Sequence, residues 1–210
     1  QAKTLFPYTT LFRSHWAWEK AKDFYNDDNY WCDELEIIDF QVNYENYLKK
    51  IQQEILENKY NVTVMTQNID DLHERAGSNK VIHLHGELLK VRSISNEDFV
   101  IDWKHDLNLG DFDLEGNQLR PHIVWFGEDV PMIEYAIDIV ETADILIIIG
   151  TSLQVYPAAG LMNYVDQNVP VYYIDPNPAT IYDLPNELKV LPLTAVEGMK
   201  IVKEELLNLN

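Results

Sequence analysis

The densest group of reactive side chains in the sequence is TQNIDDLHERAG, residues 66–77, which follows a short β-branched run. It places two amides and two acids at the carboxyl end of a predicted strand. Amides offer a donor and an acceptor together, so Gln67 and Asn68 suit a neutral ring carboxamide or ribose hydroxyl groups. A polar loop with an Asx turn contains similar residues, and this segment alone leaves both interpretations open.

A second group is His83-Leu84-His85-Gly86. An imidazole near its reference pKa is the natural proton acceptor at neutral pH. Two histidines separated by one residue share a face only if the strand continues regularly through both, and Gly86 predicts a turn that starts at His85. We expect a structural role for His83. A metal pair is disfavoured because the sequence places no suitable third ligand nearby.

The third group is Gly150-Thr151-Ser152, which ends the apolar run ADILIIIG. Small residues at the end of a buried parallel strand let backbone amides meet a phosphate. Many parallel strands also end in glycine simply to turn, so this feature is modest by itself.

The sequence predicts alternating strands and helices that position these groups. Spacing predicts helices over residues 44–56, 131–142, 157–167 and 195–207, and strands over 61–66, 81–84, 123–127, 143–150, 169–175 and 189–193, with the runs at 143–150 and 169–175 fully buried. A short helix ends near Gly77. The stretch 89–121 is irregular and polar, with at most short strands. The order predicts an α/β fold with a parallel, doubly wound sheet and helices on both faces.

The composition of the chain excludes several classes of partner and site. A formal charge of −19 repels phosphate backbones, so we expect no nucleic-acid partner, whereas basic peptides are tolerated. The longest apolar run is too short to cross a bilayer, so no membrane partner is expected. The single cysteine, Cys32, excludes an intramolecular disulfide and an all-cysteine zinc site. We interpret it as a small buried residue in a cytoplasmic protein.

Residues 1–14 (QAKTLFPYTTLFRS) lack the features of a signal peptide. They are similar to translated sequencing-adaptor DNA, and we expect this segment to be non-native and outside the fold. If the segment is real, TLFPYTTLF could pair as a strand.

The motifs TQNIDDLHERAG, LHG, RPHIVWFGE, GTSLQVYPAA and YIDPNP, in this order, resemble the sirtuin family over residues 61–210. The nearest type is a bacterial sirtuin without zinc-binding cysteines. The resemblance implies an incomplete Rossmann-like NAD-binding domain (15–92 and 119–210) with a small zinc-free inserted lobe (93–118). It also implies an NAD-dependent deacylase that releases nicotinamide and O-acyl-ADP-ribose from acylated lysine in proteins or peptides.

The resemblance assigns roles to individual residues. His85 is the implied catalytic base, which takes a proton from a ribose hydroxyl. The implied cofactor-binding residues are Gln67, Asn68, Asp70, Gly150, Thr151, Ser152, Asp175, Pro176, Asn177 and Ala195. The implied peptide-binding strand contains Val124, Trp125, Phe126 and Gly127, opposite residues 153–155. Ordinary core packing is the alternative for its apolar members.

Three departures from the family qualify these roles. The family's opening glycine turn has no match, which predicts a truncated chain with impaired activity. Ser93 stands where the first zinc cysteine would lie, so the lobe must hold itself by the packing of Phe99, Ile101, Trp103, Leu107 and Phe112. Tyr25 matches a tyrosine that binds acidic acyl groups, but Asp28 replaces the partner arginine and would repel succinyl or malonyl groups.

Two other functions stay open. One is a non-catalytic module that binds NAD or ADP-ribose. The other is an NAD-dependent ADP-ribosyltransferase or NAD hydrolase, which cleaves the same bond with another acceptor.

Overall fold

The computed structural model describes residues 60–208, in which strands and helices alternate. The strands are β1 (Val64–Thr66), β2 (Val81–His83), β3 (Gly86–Ser93), β4 (Val100–Asp102), β5 (Leu119–Ile123), β6 (Leu146–Ile149), β7 (Val171–Ile174) and β8 (Leu188–Leu191). The helices are α1 (Leu72–Arg75), α2 (Ile133–Val140), a 3₁₀ helix (Ala158–Tyr164) and α3 (Ala195–Asn208). The predictions for residues 1–14 and 44–56, and for Tyr25, Asp28 and Cys32, fall outside the described residues.

Two groups of parallel strands form the main part of the fold. β1 pairs with β2, with Thr66 opposite His83, and β6, β7 and β8 pair in that order. Met65 of β1 packs in the same apolar cluster as residues of β6, so the two groups share core contacts. The parallel pairing and the alternation with helices confirm the predicted α/β class with a Rossmann-like sheet.

The strand β7 is the centre of the core. All four of its residues are buried, as expected for a β-branched and aromatic run in the middle of a parallel sheet. Ile174 packs against Met199, Val202 and Leu206 of α3. Gly198 makes this contact close, because a Cβ there would lie 2.3 Å from Cγ2 of Ile174.

Helix α3 begins with a capping box, which explains its predicted start. Thr194 Oγ1 accepts a hydrogen bond from the Glu197 amide at 3.3 Å, and the Glu197 carboxylate accepts from the Thr194 amide at 3.4 Å.

The prediction that β6 is fully buried is wrong. Its residues are only partly buried, and Ile149 is 41% exposed.

Two further predicted elements differ in the structure. The predicted strand at 123–127 is wrong, because β5 ends at Ile123 and a turn follows, with Gly127 at φ +91°. The predicted helix at 157–167 is a 3₁₀ helix over Ala158–Tyr164. Gly160 and Asn163 are weak helix formers, which favours the short, tight form.

The predicted inserted lobe lies within an antiparallel sheet in the order β4-β3-β5. Its central strand, β3, has eight residues and begins at Gly86. The prediction that residues 89–121 form at most short strands is therefore wrong, and the sheet extends beyond residues 93–118. The predicted apolar packing is also wrong for Ile101 and Phe112, which are 37% and 57% exposed.

Polar contacts close the lobe instead. The Gln118 side chain reaches four backbone groups of the lobe, and Asp113 accepts hydrogen bonds from the amides of Glu115 and Asn117. Ser93, where the resemblance places a zinc ligand, is buried and forms a hydrogen bond with Asp113. That bond is the main reason why the pKa of Asp113 is lowered to about 2.

No helix within residues 60–208 combines the length and the apolar character needed to cross a membrane.

Candidate active site

His85 lies on the turn between β2 and β3, as the sequence predicted. The Leu84 amide donates to the carbonyl oxygen of Thr66 at 2.9 Å, and the carbonyl oxygen of His85 accepts from the Val124 amide at 2.9 Å. Gly86 makes the turn feasible, because its φ is +82° and a Cβ there would lie 2.1 Å from the carbonyl oxygen of His122. The backbone of His85 is therefore fixed on both sides.

The side chain of His85 is held as a neutral base. Its Nδ1 lies 3.1 Å from the carbonyl oxygen of Gln67. A carbonyl oxygen can only accept, so Nδ1 carries the proton and Nε2 keeps its lone pair. Burial lowers the pKa of His85 and outweighs the bond to Gln67, which raises it. Nε2 is therefore able to accept a proton at neutral pH.

The residues 67–70 form a buried loop after β1. The Asn68 amide donates to Thr66 Oγ1 at 3.0 Å, and Asp70 Oδ1 accepts from the Leu72 amide at 3.1 Å at the start of α1. Asn68 is 8% exposed and Asp70 is 4% exposed. These local bonds explain how a polar stretch is held inside the fold.

Asn68 offers a buried acceptor to a ligand. Among the described residues, its Oδ1 has no hydrogen-bond partner. An unsatisfied buried acceptor costs about 1–3 kcal/mol, so the arrangement suits an N–H donor brought by a bound molecule. A carboxamide carries such a donor, and the amide and acid groups beside it fit the nicotinamide and ribose end of NAD.

Residues 150–152 form a second candidate loop, at the end of β6. Gly150 has φ +62°, and Thr151 Oγ1 accepts from the Leu153 amide at 3.2 Å. Leu153 itself has φ +55°, so two left-handed residues surround a compact turn. Gly150, Thr151 and Ser152 are all partly exposed, which leaves this turn accessible to a ligand.

Tyr173 joins this turn to the loop after β7. Its hydroxyl donates to the carbonyl oxygen of Thr151 at 2.8 Å and accepts from the Ala179 amide at 2.9 Å. The sequence did not predict a role for Tyr173. The available signal was a tyrosine inside a fully buried strand, since a buried tyrosine hydroxyl needs a polar partner.

The remaining predicted cofactor residues lie in the loop after β7 or at the start of α3. Asp175 Oδ1 accepts from the Asn177 amide at 2.7 Å, which forms an Asx turn with Pro176 exposed between them. Ala195 is the first residue of α3, directly after the capping residue Thr194.

The segment Val124 to Gly127 is a turn whose two aromatic side chains face outward. Trp125 is 41% exposed and Phe126 is 80% exposed, so the alternative prediction that these two side chains pack in the core is wrong. Glu128 organises the turn: its Oε2 accepts from the Trp125 amide at 3.0 Å.

The carboxylate of Glu128 is itself held by two arginines. Arg120 approaches its Oε1 at 2.6 Å and its Oε2 at 3.2 Å, and Arg92 approaches Oε2 at 3.3 Å. The hydrogen bond to Arg120 is the main reason why the pKa of Glu128 is lowered. This cluster of Glu128, Arg120 and Arg92 was not anticipated from the sequence.

The described contacts therefore bring together two sets of predicted residues. One set joins His85 to Gln67 and Val124; the other joins residues 150–152 to residues 175–179 through Tyr173. That both sets face one crevice stays a prediction. Residues 60–208 hold no group of three or more histidine, cysteine or acidic side chains placed to bind a metal ion.

Comparison with known proteins gives consistent matches. A family model described as "Sir2 family" matches residues 3–157. An NAD-dependent protein deacylase of Helicobacter pylori (strain ATCC 700392 / 26695) is 45% identical over 191 residues, which are 91% of this chain and 79% of that protein. This alignment is longer than the stretch 61–210 that carries the motifs.

Solved structures give the same result at lower identity. A complex of a Sir2 homolog with NAD is 29% identical, with a TM-score of 0.63 over 93% of this chain and 76% of that chain. A Sir2 protein bound to an acetylated peptide is 30% identical, with a TM-score of 0.60 over 77% and 69% of the two chains.

Proposed function

The chain belongs to the Sir2 family, and on that premise we propose that it is an NAD-dependent protein lysine deacylase in which His85 is the general base. Membership confirms the sirtuin resemblance seen in the motifs. The H. pylori relative is named as a deacylase, and solved Sir2 relatives hold NAD and an acetylated peptide.

One observation carries the proposal. The contact between His85 Nδ1 and the Gln67 carbonyl oxygen leaves His85 Nε2 unprotonated. Gln67 directly precedes Asn68, whose buried Oδ1 has no hydrogen-bond partner among the described residues. A base beside the loop that carries an acceptor for a carboxamide suits a reaction in which nicotinamide leaves and a ribose hydroxyl then gives up its proton. When bound, NAD supplies a ribose carbon that becomes electrophilic as nicotinamide leaves.

Different residues of the chain would bind the cofactor and accept the proton. Gln67, Asn68 and Asp70 would hold the nicotinamide and ribose end, and Gly150, Thr151 and Ser152 would hold the phosphates. His85 Nε2 would accept a proton from a ribose hydroxyl. Base catalysis of this kind contributes roughly 10² to 10⁴-fold.

The exposed aromatics suit the acyl-lysine side. Trp125 and Phe126 present apolar area beside His85, to whose carbonyl oxygen the neighbouring Val124 amide is bonded. Main-chain pairing of an extended peptide needs a strand edge, and residues 124–127 form a turn, so these two side chains would contact the substrate through their apolar area. The carboxylate of Asp28 would repel an acidic acyl group, so we expect acetyl-lysine to be preferred over succinyl-lysine.

The test is nicotinamide release from NAD in the presence of acetylated, succinylated or unmodified peptide. Release that requires acylated peptide supports deacylation, and the His85→Ala variant is its matched control. Release without peptide indicates NAD hydrolysis or ADP-ribose transfer instead. NAD binding without any release indicates a non-catalytic binding module and contradicts the proposal.

A further inference from the structure

We propose that His83 is a positioning residue for the cofactor loop, and that it acts as an imidazolium that ties the backbone of Asn68 to the carboxylate of Glu74. The inference rests on the proposed function in so far as Asn68 belongs to the NAD site. The ionic state of His83 does not depend on it.

The contacts of the ring define its protonation. His83 Nδ1 lies 2.9 Å from the carbonyl oxygen of Asn68, and Nε2 lies 2.9 Å from Oε1 of Glu74. Both partners are acceptors, and a neutral imidazole has only one N–H group. Only the doubly protonated ring can donate to both, so the geometry selects the cation.

The hydrogen bonds and charges around the ring favour its protonated form. The His83 side chain is 7% exposed and that of Glu74 is 42% exposed, so the imidazole end of the ion pair is shielded from solvent. Burial opposes the charge and is the largest single effect on the pKa, but hydrogen bonds to Glu74 and Asn68 and the charges of Glu74 and Glu87 outweigh it and raise the pKa of His83.

The other charged and titratable neighbours fit this state. Glu74 of α1 contacts the ring, and the charges of His73 on α1 and Glu87 on β3 act on it electrostatically. Burial lowers the pKa of His73, so that ring is neutral and does not compete for the carboxylate. The pKa of Glu74 is lowered, even though burial opposes this, because His83 binds it. The raised pKa of His83 and the lowered pKa of Glu74 both favour the cation–anion pair.

The consequence is a fixed orientation for Asn68. His83 holds its carbonyl oxygen, and Thr66 Oγ1 holds its amide at 3.0 Å. The backbone of Asn68 is thus anchored on both sides of the side chain whose Oδ1 has no partner within residues 60–208. His83 and His85 therefore share a strand end in opposite protonation states, one positioning the loop and the other free to accept a proton.

The sign of the pH dependence follows from the raised pKa. The stabilisation from the His83–Glu74 pair is complete below the ordinary histidine pKa of about 6.5. It is lost as the pH rises through the raised pKa of the folded protein, because one of the two hydrogen bonds must then break. NAD affinity should decline as the pH rises through that raised pKa.

The first experiment follows the imidazole nitrogens by ¹⁵N NMR titration of the full chain, with His83→Gln used to assign the signal. We expect His83 to titrate above 6.5 and its pKa to fall in Glu74→Gln. The matched control is Glu87→Gln, which removes the same charge without touching the ring and should lower the pKa less. A His83 that titrates at or below 6.5, or that ignores Glu74→Gln, overturns the ionic assignment.

The second experiment measures NAD affinity by calorimetry. Losing a charged hydrogen bond should weaken NAD binding roughly tenfold in Glu74→Gln at pH 6.5, with Glu87→Gln close to wild type. Unchanged affinity in Glu74→Gln, with its melting temperature near wild type, overturns the positioning role. Neither measurement needs turnover, so failure of the proposed deacylase activity is seen separately, in the nicotinamide assay.

Discussion

The hydroxyl group of Tyr173 donates a 2.8 Å hydrogen bond to the carbonyl oxygen of Thr151 and accepts one of 2.9 Å from the Ala179 amide. One buried atom thus couples the loops that follow two neighbouring parallel strands, β6 and β7. Both loops carry residues predicted to bind the cofactor, so the coupling sets their spacing.

We expect Tyr173→Phe to weaken NAD binding about tenfold with little change in kcat. The change removes only the hydroxyl and leaves two backbone groups unpaired, which costs about 1–3 kcal/mol. Calorimetry with NAD and a thermal melt measure the two effects. Tyr172→Phe is the matched control, because that hydroxyl lies near Glu205 instead. Equal effects in both variants would mean that the loops do not depend on Tyr173.

His85 should define the acidic limb of the rate profile. Burial lowers its pKa below the ordinary histidine value of 6.5, so the ring remains neutral down to mildly acidic pH. We expect kcat to be flat at neutral pH and to fall as the pH drops through that lowered pKa. His85→Ala should reduce kcat by roughly 10² to 10⁴-fold while NAD still binds. Full activity in this variant would refute the assignment.

Gly86→Ala should disrupt the turn that carries His85. A methyl group there would lie 2.1 Å from the carbonyl oxygen of His122, which is backbone and cannot move aside easily. We expect a loss of more than about 2 kcal/mol in the free energy of unfolding, measured by denaturant titration.

Gly77→Ala is the control for that change. Gly77 also has a positive φ, at +97°, but a Cβ there would meet nothing within 4 Å. It should cost only the backbone strain, about 1–2 kcal/mol. If both variants lose the same stability, the collision at Gly86 is not the cause.

Sequence patterns anticipated much of the fold because burial and periodicity coincide in its core. The apolar run that becomes β7 is buried at all four residues, and the T-x-x-E box at Thr194 marks the start of α3. The turn at His85 followed from Gly86, whose φ of +82° suits glycine. These features are encoded locally, in neighbouring residues.

Long-range contacts were not predictable in the same way. The strand expected at 123–127 becomes a turn because Glu128 accepts from the Trp125 amide and is itself held by Arg92, 36 residues earlier. The role of Tyr173 depends on Thr151, 22 residues away. Neither pairing leaves a periodic signal, so only the folded chain reveals it.

The Glu128 cluster should control peptide affinity rather than chemistry. Arg92 is buried, with 8% of its side chain exposed, so removing its nearer carboxylate leaves the charge next to the turn paired only with the exposed Glu97. The Trp125 amide loses its charged acceptor at the same time. We expect Glu128→Gln to raise the KM for acyl-peptide roughly fivefold to tenfold, while kcat and the KM for NAD stay within about twofold.

Glu97→Gln is the matched control for Glu128→Gln, measured in the same assay. Glu97 also faces Arg92, at 4.0 Å, but it is exposed and does not touch the turn, so its loss should have little effect. The pKa of Glu128 is lowered chiefly by Arg120, so its carboxylate should hold the turn at neutral pH and release it as the pH falls through that lowered pKa. A Glu128→Gln variant with wild-type peptide KM would show that the exposed turn of Trp125 and Phe126 is not where the peptide binds.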